Sequence, residues 1–255
     1  MYIYPIAEFD NEHSLISPSL SDELLTDLSG IDTCVMTYYP DIENIEDIAK
    51  DLTPLYCFHS GAAEIMQYIY KDSIIIANMP AGAPSSASIM EELISLGVIR
   101  FLGMGGSGLI DDEFGLENYL LVKDAIRDEG TSYHYLPAEE CAYTSPLLTE
   151  QLGNCLKKRD IPYKSGRIWS TDAFYRETPS RIKRRLASGA VGVDMECAAL
   201  CAVAQRRGVE YAQALYFTDR LYKDVWSGLL PNYKELRLKS LHLIIDCGLE
   251  IANMI

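Results

Sequence analysis

The 255-residue sequence predicts a single α/β domain, on three observations. The length is enough to bury one sizeable core. Short apolar runs that are typical of buried strands alternate with segments of helical spacing. A strand, a helix and a second strand follow one another between residues 73 and 104, an order typical of a right-handed parallel crossover. We therefore expect one domain over residues 1–255.

Three apolar runs in the first half of the chain predict buried strands, at residues 34–39, 73–77 and 98–104. The first run, CVMTYY, ends before Pro40 and leads into a short helix that contains Ile45 and Ile48. A loop of small residues, AGAPSSAS, follows the second run. The helix after this loop, IMEELISLG, is expected to end at Gly97.

The second half repeats the alternation of strands and helices. Apolar runs predict strands at residues 119–122, 166–170 and 211–217, and residues 191–195 lead into a helix. Helical spacing predicts helices at residues 146–158, 196–206 and about 234–251. No repeat, linker or low-complexity segment interrupts the pattern. A single domain therefore remains the expectation.

Composition excludes several classes of function. A net charge of −15 with no basic stripe argues against a nucleic-acid partner, and no apolar run is long enough for a membrane span. The amino terminus, MYIYPIAEFDNEH, lacks the features of a secretory signal, so we expect a cytoplasmic protein. Seven scattered cysteines without a C-x-x-C pair predict reduced thiols, no disulfide framework and no metal site.

The stretch FLGMGGSGLI, residues 101–110, contains the dinucleotide fingerprint G-x-G-x-x-G at Gly103, Gly105 and Gly108. In a dinucleotide fold these glycines open a helix. Here an acidic loop and then a strand follow them, which argues against a dinucleotide. Two interpretations stay open: a strand end whose backbone amides approach a ligand, or a tight crossing of backbones without one.

Four segments together resemble the nucleoside phosphorylase-I family, which includes purine nucleoside and uridine phosphorylases and the methylthioadenosine-type nucleosidases. The segments are GAPSSASIMEELISLG (82–97), FLGMGGSG (101–108), STDAFYRET (170–178) and VGVDMECAALCAVAQRRG (191–208). Their order and spacing agree with the family over roughly residues 33–220, and M-E-x-A-A is the most specific element. The resemblance implies a three-layer αβα domain with a mixed, largely parallel, twisted sheet. It also implies a homo-oligomer, dimer or hexamer, and no cofactor apart from inorganic phosphate as co-substrate.

The resemblance also assigns roles to residues of the site. Glu196 would accept hydrogen bonds from the 2′- and 3′-hydroxyls of ribose, Met195 would pack against the sugar, and Phe174 would stack on the base. Asp219 would protonate the purine at N7, although it could instead cap a helix or pair with Arg220. The backbone at Gly105, Gly106 and Ser107 would line the nucleoside site. The pyrimidine-binding Gln-x-Arg after the F-Y pair is absent, so a purine is expected.

The sequence departs from the family at the phosphate-binding arginines. Gly103 stands where one arginine is expected, the loop after the first strand carries none, and no arginine precedes Arg100, which we expect at the surface. Arg127 and Arg176 could reach the anion instead. Alternatively, water is the nucleophile, with His134 as one candidate base. Phosphorolysis, hydrolysis and a nucleoside sensor without turnover all remain open.

Overall fold

In this computed structural model, the described residues are residue 6 and residues 8–12, 14–18, 24–28, 30–60, 63–222 and 225–254. Within them, eleven strands join in one sheet. In chain order the strands are β1 (Thr33–Thr37), β2 (Leu52–Ser60), β3 (Ala63–Tyr70), β4 (Ile74–Asn78), β5 (Arg100–Leu109), β6 (Tyr119–Asp128), β7 (Ala142–Tyr143), β8 (Tyr163–Thr171), β9 (Ala190–Asp194), β10 (Glu210–Tyr222) and β11 (Val225–Leu229).

Helices occupy the connections between these strands. They are α1 (Glu46–Ala49), α2 (Ala83–Ser95), α3 (Pro146–Lys158), α4 (Pro179–Ala187), α5 (Cys197–Arg207) and α6 (Tyr233–Ala252). Proline lies in the first turn of α2, α3 and α4, where the missing N–H costs nothing. No helix in the described ranges combines the length and apolarity needed to cross a membrane.

Part of the sheet closes on itself. β5 pairs in parallel with β10, and β10 pairs antiparallel with β6. From β6 the ladder continues in parallel through β8 to β9, and β9 returns antiparallel to β5. These five strands form a ring. From β5 the sheet extends outward through β1, β4, β3 and β2.

Helices cover both faces of the sheet. Alternate residues of β1 divide between two cores: Cys34 and Met36 pack with residues of α2 and α5, whereas Val35 packs with residues of α3 and α6. Strands β4, β5 and β10 divide in the same way. A strand that is buried on both faces reads as a continuous apolar run, as the sequence showed. The predicted α/β class with a mixed sheet is therefore confirmed.

Several elements differ from the sequence prediction. The β2–β3 hairpin, α4 and β11 have no counterpart in it. β5 does not end before the glycines, because its ladder to β10 continues to Leu109. β6 runs on to Asp128, beyond the predicted end at residue 122, because β8 pairs with its second half. These extensions depend on partners distant in sequence.

Arg100 is not at the surface, contrary to the sequence-based expectation. Only 8% of the residue is exposed. Its guanidinium forms an ion pair with Asp32, at 2.5 Å, and donates to the carbonyl of Ile251 at 3.4 Å. Because β5 pairs with β1 on one side and β10 on the other, its first residue is enclosed despite its charge. Arg100 thus links β5 to the end of α6.

We expect Arg100→Met to lower the free energy of unfolding by about 2–3 kcal/mol, because the substitution leaves Asp32 without its cation. Since the Asp32 side chain is 35% exposed, the loss should lie at the low end of the range for buried pairs. Chemical denaturation measures it, with Arg184→Met at an exposed position of α4 as the control. Equal stability of the two variants would contradict a structural role for Arg100.

Candidate active site

A cavity of about 640 Å³ opens at the carboxyl ends of β5 and β9 and beside the second half of β10. In open α/β sheets, ligands bind at the carboxyl ends of parallel strands. Seven of the predicted site residues line this cavity: Gly105, Gly106, Ser107, Phe174, Met195, Glu196 and Asp219. They come from four separate parts of the chain. The fold therefore brings the main sequence motifs together at one place.

The glycines of β5 lie in a strand, and their positions leave no room for side chains. A Cβ added at Gly106 would come 2.7 Å from the Thr218 methyl group, and one at Gly108 would come 2.7 Å from Leu221. The same residues line the cavity, and Gly106 is exposed there. Both sequence-based interpretations therefore hold in part: the glycines permit close pairing with β10, and their backbone faces the cavity.

Gly103 lies against Tyr211 of β10. A Cβ at position 103 would lie 2.9 Å from the Tyr211 hydroxyl, which itself donates to Oε1 of Gln213 at 2.5 Å. Gln213 also lines the cavity. The space that an arginine side chain would need at position 103 is thus taken by a tyrosine and a glutamine.

Glu196 is buried where two helices begin. It is the residue before α5, and its Oε1 accepts a 2.6 Å hydrogen bond from the N–H of Gly82, the residue before α2. The positive ends of two helix dipoles therefore act on one carboxylate. Only 7% of Glu196 is exposed, and its side chain lines the cavity. The alternative of a solvated carboxylate at a helix start does not fit this burial.

Neighbouring groups satisfy the first turn of α5 without using Glu196. Oδ2 of Asp194 accepts from the N–H of Cys197 at 2.9 Å, and Oδ1 accepts from the Ser170 hydroxyl at 2.6 Å. The N–H of Ala198 donates to Ser170 at 2.9 Å. Because these bonds cap the helix, the Glu196 carboxyl is available to the cavity.

Burial raises the pKa of Glu196, and the nearby charge of Asp194 raises it further. The N–H groups of Gly82 and Met195 act in the opposite direction but do not cancel the effect. The pKa of Asp194 is also raised, mainly by burial. Two buried acids side by side share protons rather than carry two full charges.

Asp219 lies at another part of the same cavity, on β10. Its Oδ1 accepts from the Thr218 hydroxyl at 2.8 Å, and its Oδ2 accepts from the indole N–H of Trp226 at 2.7 Å. Asp219 is in a strand rather than before a helix, and Arg220 forms its ion pair with Asp112 at 2.5 Å. Both oxygens of Asp219 thus accept hydrogen bonds from neighbouring β-strand residues.

Aromatic and apolar side chains form the remaining wall. Phe174 is half exposed and its ring centroid lies 4.0 Å from that of Tyr175, which also lines the cavity. Met195 lies next to Glu196 along the lining. A planar aromatic ligand could stack on such a surface.

Three predicted residues do not line the cavity: Arg127, Arg176 and His134. Arg127 donates to Ser132 and to the carbonyls of Leu136, Pro137 and Glu140, so its guanidinium organises the loop after β6. Arg176 and His134 are exposed. Neither arginine therefore supplies a cation to the cavity of this chain.

The sequence motifs missed other polar residues of the lining, namely Tyr38, Glu177, Gln213, Thr218 and Trp226. Glu177 lies two residues after the F-Y pair, and this position could have identified it as a site residue. Tyr38 and Thr218 lie at the ends of apolar runs and Gln213 lies inside one, and none of the three carried a signal. Trp226 reaches the cavity only because β11 folds back on β10.

The cavity is acidic. Glu177, Asp194, Glu196 and Asp219 line it, whereas none of its described lining residues is lysine, arginine or histidine. Across the described ranges, no cluster of three or more histidine, cysteine or acidic side chains could hold a metal ion. The lining suits a neutral ligand that becomes cationic better than a permanent anion.

Comparison with known proteins agrees with this geometry. The chain is 33% identical over 108 residues to a uridine phosphorylase of Haemophilus influenzae, covering 42% of this chain and 43% of the relative. It is 31% identical over 137 residues to a guanosine phosphorylase of Halorubrum lacusprofundi, covering 53% and 56%. It is 31% identical over 157 residues to purine nucleoside phosphorylase DeoD-type 1 of Shewanella oneidensis, covering 61% and 66%.

These alignments span between 43% and 66% of the length of the relatives. A family profile extends further: that of the phosphorylase superfamily matches residues 33–228, which include every strand from β1 to β10 and the whole cavity lining. The chain therefore belongs to the phosphorylase superfamily.

Proposed function

We propose that this protein cleaves the N-glycosidic bond of a nucleoside in the cavity, by phosphorolysis. The observation that carries the proposal is Glu196, a buried carboxyl that lines the cavity at the start of two helices. The names of three relatives, which are phosphorylases of uridine, guanosine and purine nucleosides, support the same reaction.

The chemistry of the bond explains why a carboxylate is needed. As the bond between the base and C1′ of ribose breaks, positive charge grows on the sugar and negative charge on the base. A carboxylate that accepts hydrogen bonds from the ribose hydroxyls binds a cationic ring more strongly than a neutral one. Glu196 would therefore stabilise the transition state more than the substrate, which is the requirement for catalysis.

A purine is the base we propose. Phe174 and Tyr175 supply an aromatic surface for it, and the carboxyl groups of Glu177 and Asp219 line the same cavity. Charge that develops on the purine needs a proton or a hydrogen-bond donor. The absence of the Gln-x-Arg pyrimidine clamp after Tyr175 supports this choice over uridine.

Hydrolysis is the second candidate, and the lack of a basic side chain in the described lining favours it. A phosphate dianion is usually held by charge-assisted donors such as arginine. What this chain places at the cavity instead is the backbone of Gly105 and Gly106. We also propose that the protein is a homo-oligomer in which a second copy completes the site. The location we propose is cytoplasmic.

Purified protein incubated with purine and pyrimidine nucleosides should release free purine base, and Glu196→Gln should lower kcat by about 100-fold or more because an amide, unlike the carboxyl group, cannot ionise to balance a cationic sugar. Glu139→Gln, at an exposed loop position, is the control. Base release measured with and without phosphate separates phosphorolysis from hydrolysis. Nucleoside binding without base release would indicate a sensor and overturn the enzymatic proposal.

Since the folded-state pKa of Glu196 is raised above its ordinary value of 4.5, the folded protein binds an extra proton between that value and the raised pKa. Its contribution to stability is complete below pH 4.5 and is lost as the pH rises through the folded-state pKa.

Glu196→Gln should therefore increase the free energy of unfolding relative to wild type at pH 8 and have much less effect at pH 5. Chemical denaturation at the two pH values checks the difference, and Glu139→Gln should change neither. Equal effects of Glu196→Gln at pH 5 and pH 8 would show that the buried carboxyl does not titrate as described.

A further inference from the structure

Two carboxyl groups line the cavity near Trp226 and Leu221. Asp219 belongs to β10, and Glu177 follows the 3-10 turn at Phe174–Arg176. The turn places Phe174, the ring expected to stack on a base, and Glu177 on the same lining. The negative charge of Asp219 acts on Glu177. The two acids therefore form an electrostatic pair where the proposed leaving base would lie.

The two acids differ in their hydrogen bonds. Asp219 accepts from Thr218 and from the indole N–H of Trp226, and an indole N–H can only donate. Donors of this kind stabilise the ionised carboxylate. In contrast, no hydrogen bond or ion pair reaches the Glu177 carboxyl from the residues that the structure describes. Two donors are thus directed at the Asp219 carboxylate, whereas no donor among the described residues is directed at that of Glu177.

Other charged groups near Glu177 do not reverse this asymmetry. Asp111, Asp112 and Glu113 follow β5 and, with Lys183 of α4, line an adjoining cavity of about 570 Å³ that shares Glu177 with the site. Arg220 of β10 forms its ion pair with Asp112, and Lys183 is exposed. Asp194 and Glu196 line the main cavity as well and add to its negative field.

Like charges in a partly buried site place the shared proton on the carboxyl whose anion is less stabilised. Burial and the charge of Asp219 raise the pKa of Glu177 to about 7. This direction agrees with the hydrogen-bond geometry. At neutral pH, a substantial fraction of Glu177 is therefore protonated, on the same lining as the ring expected to stack on the base.

We propose that Glu177 is the proton donor to the leaving base and that Asp219 is its ionised partner. The inference rests on the proposed function and assigns the acid within it. When the C1′–N bond breaks, its electron pair passes to the base, and the Glu177 proton forms an N–H bond there. An oxygen of hydrogen phosphate or water bonds to C1′. The proton that this nucleophile loses restores the acid.

Three variants test the assignment against wild type: Glu177→Gln, Asp219→Asn and the exposed control Glu139→Gln. On a purine nucleoside, Glu177→Gln should lower kcat by about 100-fold with little change in KM, since an amide cannot transfer the proton. The wild-type kcat should fall as the pH rises through 7, and Glu177→Gln should lose this dependence. Asp219→Asn should move the fall to lower pH, because it removes the negative charge.

A second substrate separates proton donation from a structural role. p-Nitrophenyl riboside releases a phenolate that needs no proton, so Glu177→Gln should cleave it at nearly the wild-type rate. Equal losses on both substrates, or an unchanged kcat on the nucleoside, would overturn the assignment.

A direct titration makes the result independent of turnover. Carbon-13 NMR of the Glu177 carboxyl in the full-length protein should give a pKa of about 7 that falls in Asp219→Asn. Titration near the ordinary value of 4.5 would overturn the inference even in an inactive protein. A pKa of about 7 without base release from any nucleoside would instead locate the failure in the proposed function, and the proton-donor role would fall with it.

Discussion

The parallel pairing of β5 with β10 is the contact on which the rest of the site depends. It brings Gln213, Thr218 and Asp219 beside the backbone of residues 105–108. It is also one side of the strand ring, which β9 closes by pairing with the end of β5 at Gly108 and Leu109. A Cβ at Gly192 would lie 2.9 Å from the carbonyl oxygen of Gly108. Glycine is therefore needed on both strands, so that the residues after β9 arrive at the cavity wall.

The acidic cavity places several buried carboxyl groups close together, and their mutual repulsion is unfavourable. Each buried carboxyl loses hydration, and helix dipoles and single N–H groups replace only part of it. Such a site is costly in the resting protein and becomes favourable when a positive charge forms inside it. Functional sites commonly trade stability for activity in this way. The apolar cores on the two faces of the sheet, held by helices α2, α5, α3 and α6, supply the stability that the site gives up.

Sequence patterns predicted the parts of this protein that follow local rules. Runs such as CVMTYY became strands buried on both faces, and the M-E-x-A-A element located Glu196. The closed ring was not predicted because it depends on which strands pair, and no local sequence pattern specifies strand pairing. Arg100 was misjudged for the same reason: its environment comes from Asp32 and from α6, both distant in sequence. Glu177 was not predicted as a site residue because the role proposed for it depends on the hydrogen bonds of a different acid, Asp219.

The environment of Gly103 bears on how such a site can change over generations. An arginine in place of this glycine would require the Tyr211 ring to move, because the Tyr211 hydroxyl lies only 2.9 Å from the position of the new Cβ. That tyrosine is fully buried and is bonded to Gln213. A smaller residue at position 211 would have to come first and would cost packing before any benefit appeared. The two positions are therefore coupled: an intermediate with only one of the two substitutions would be less stable than either end state.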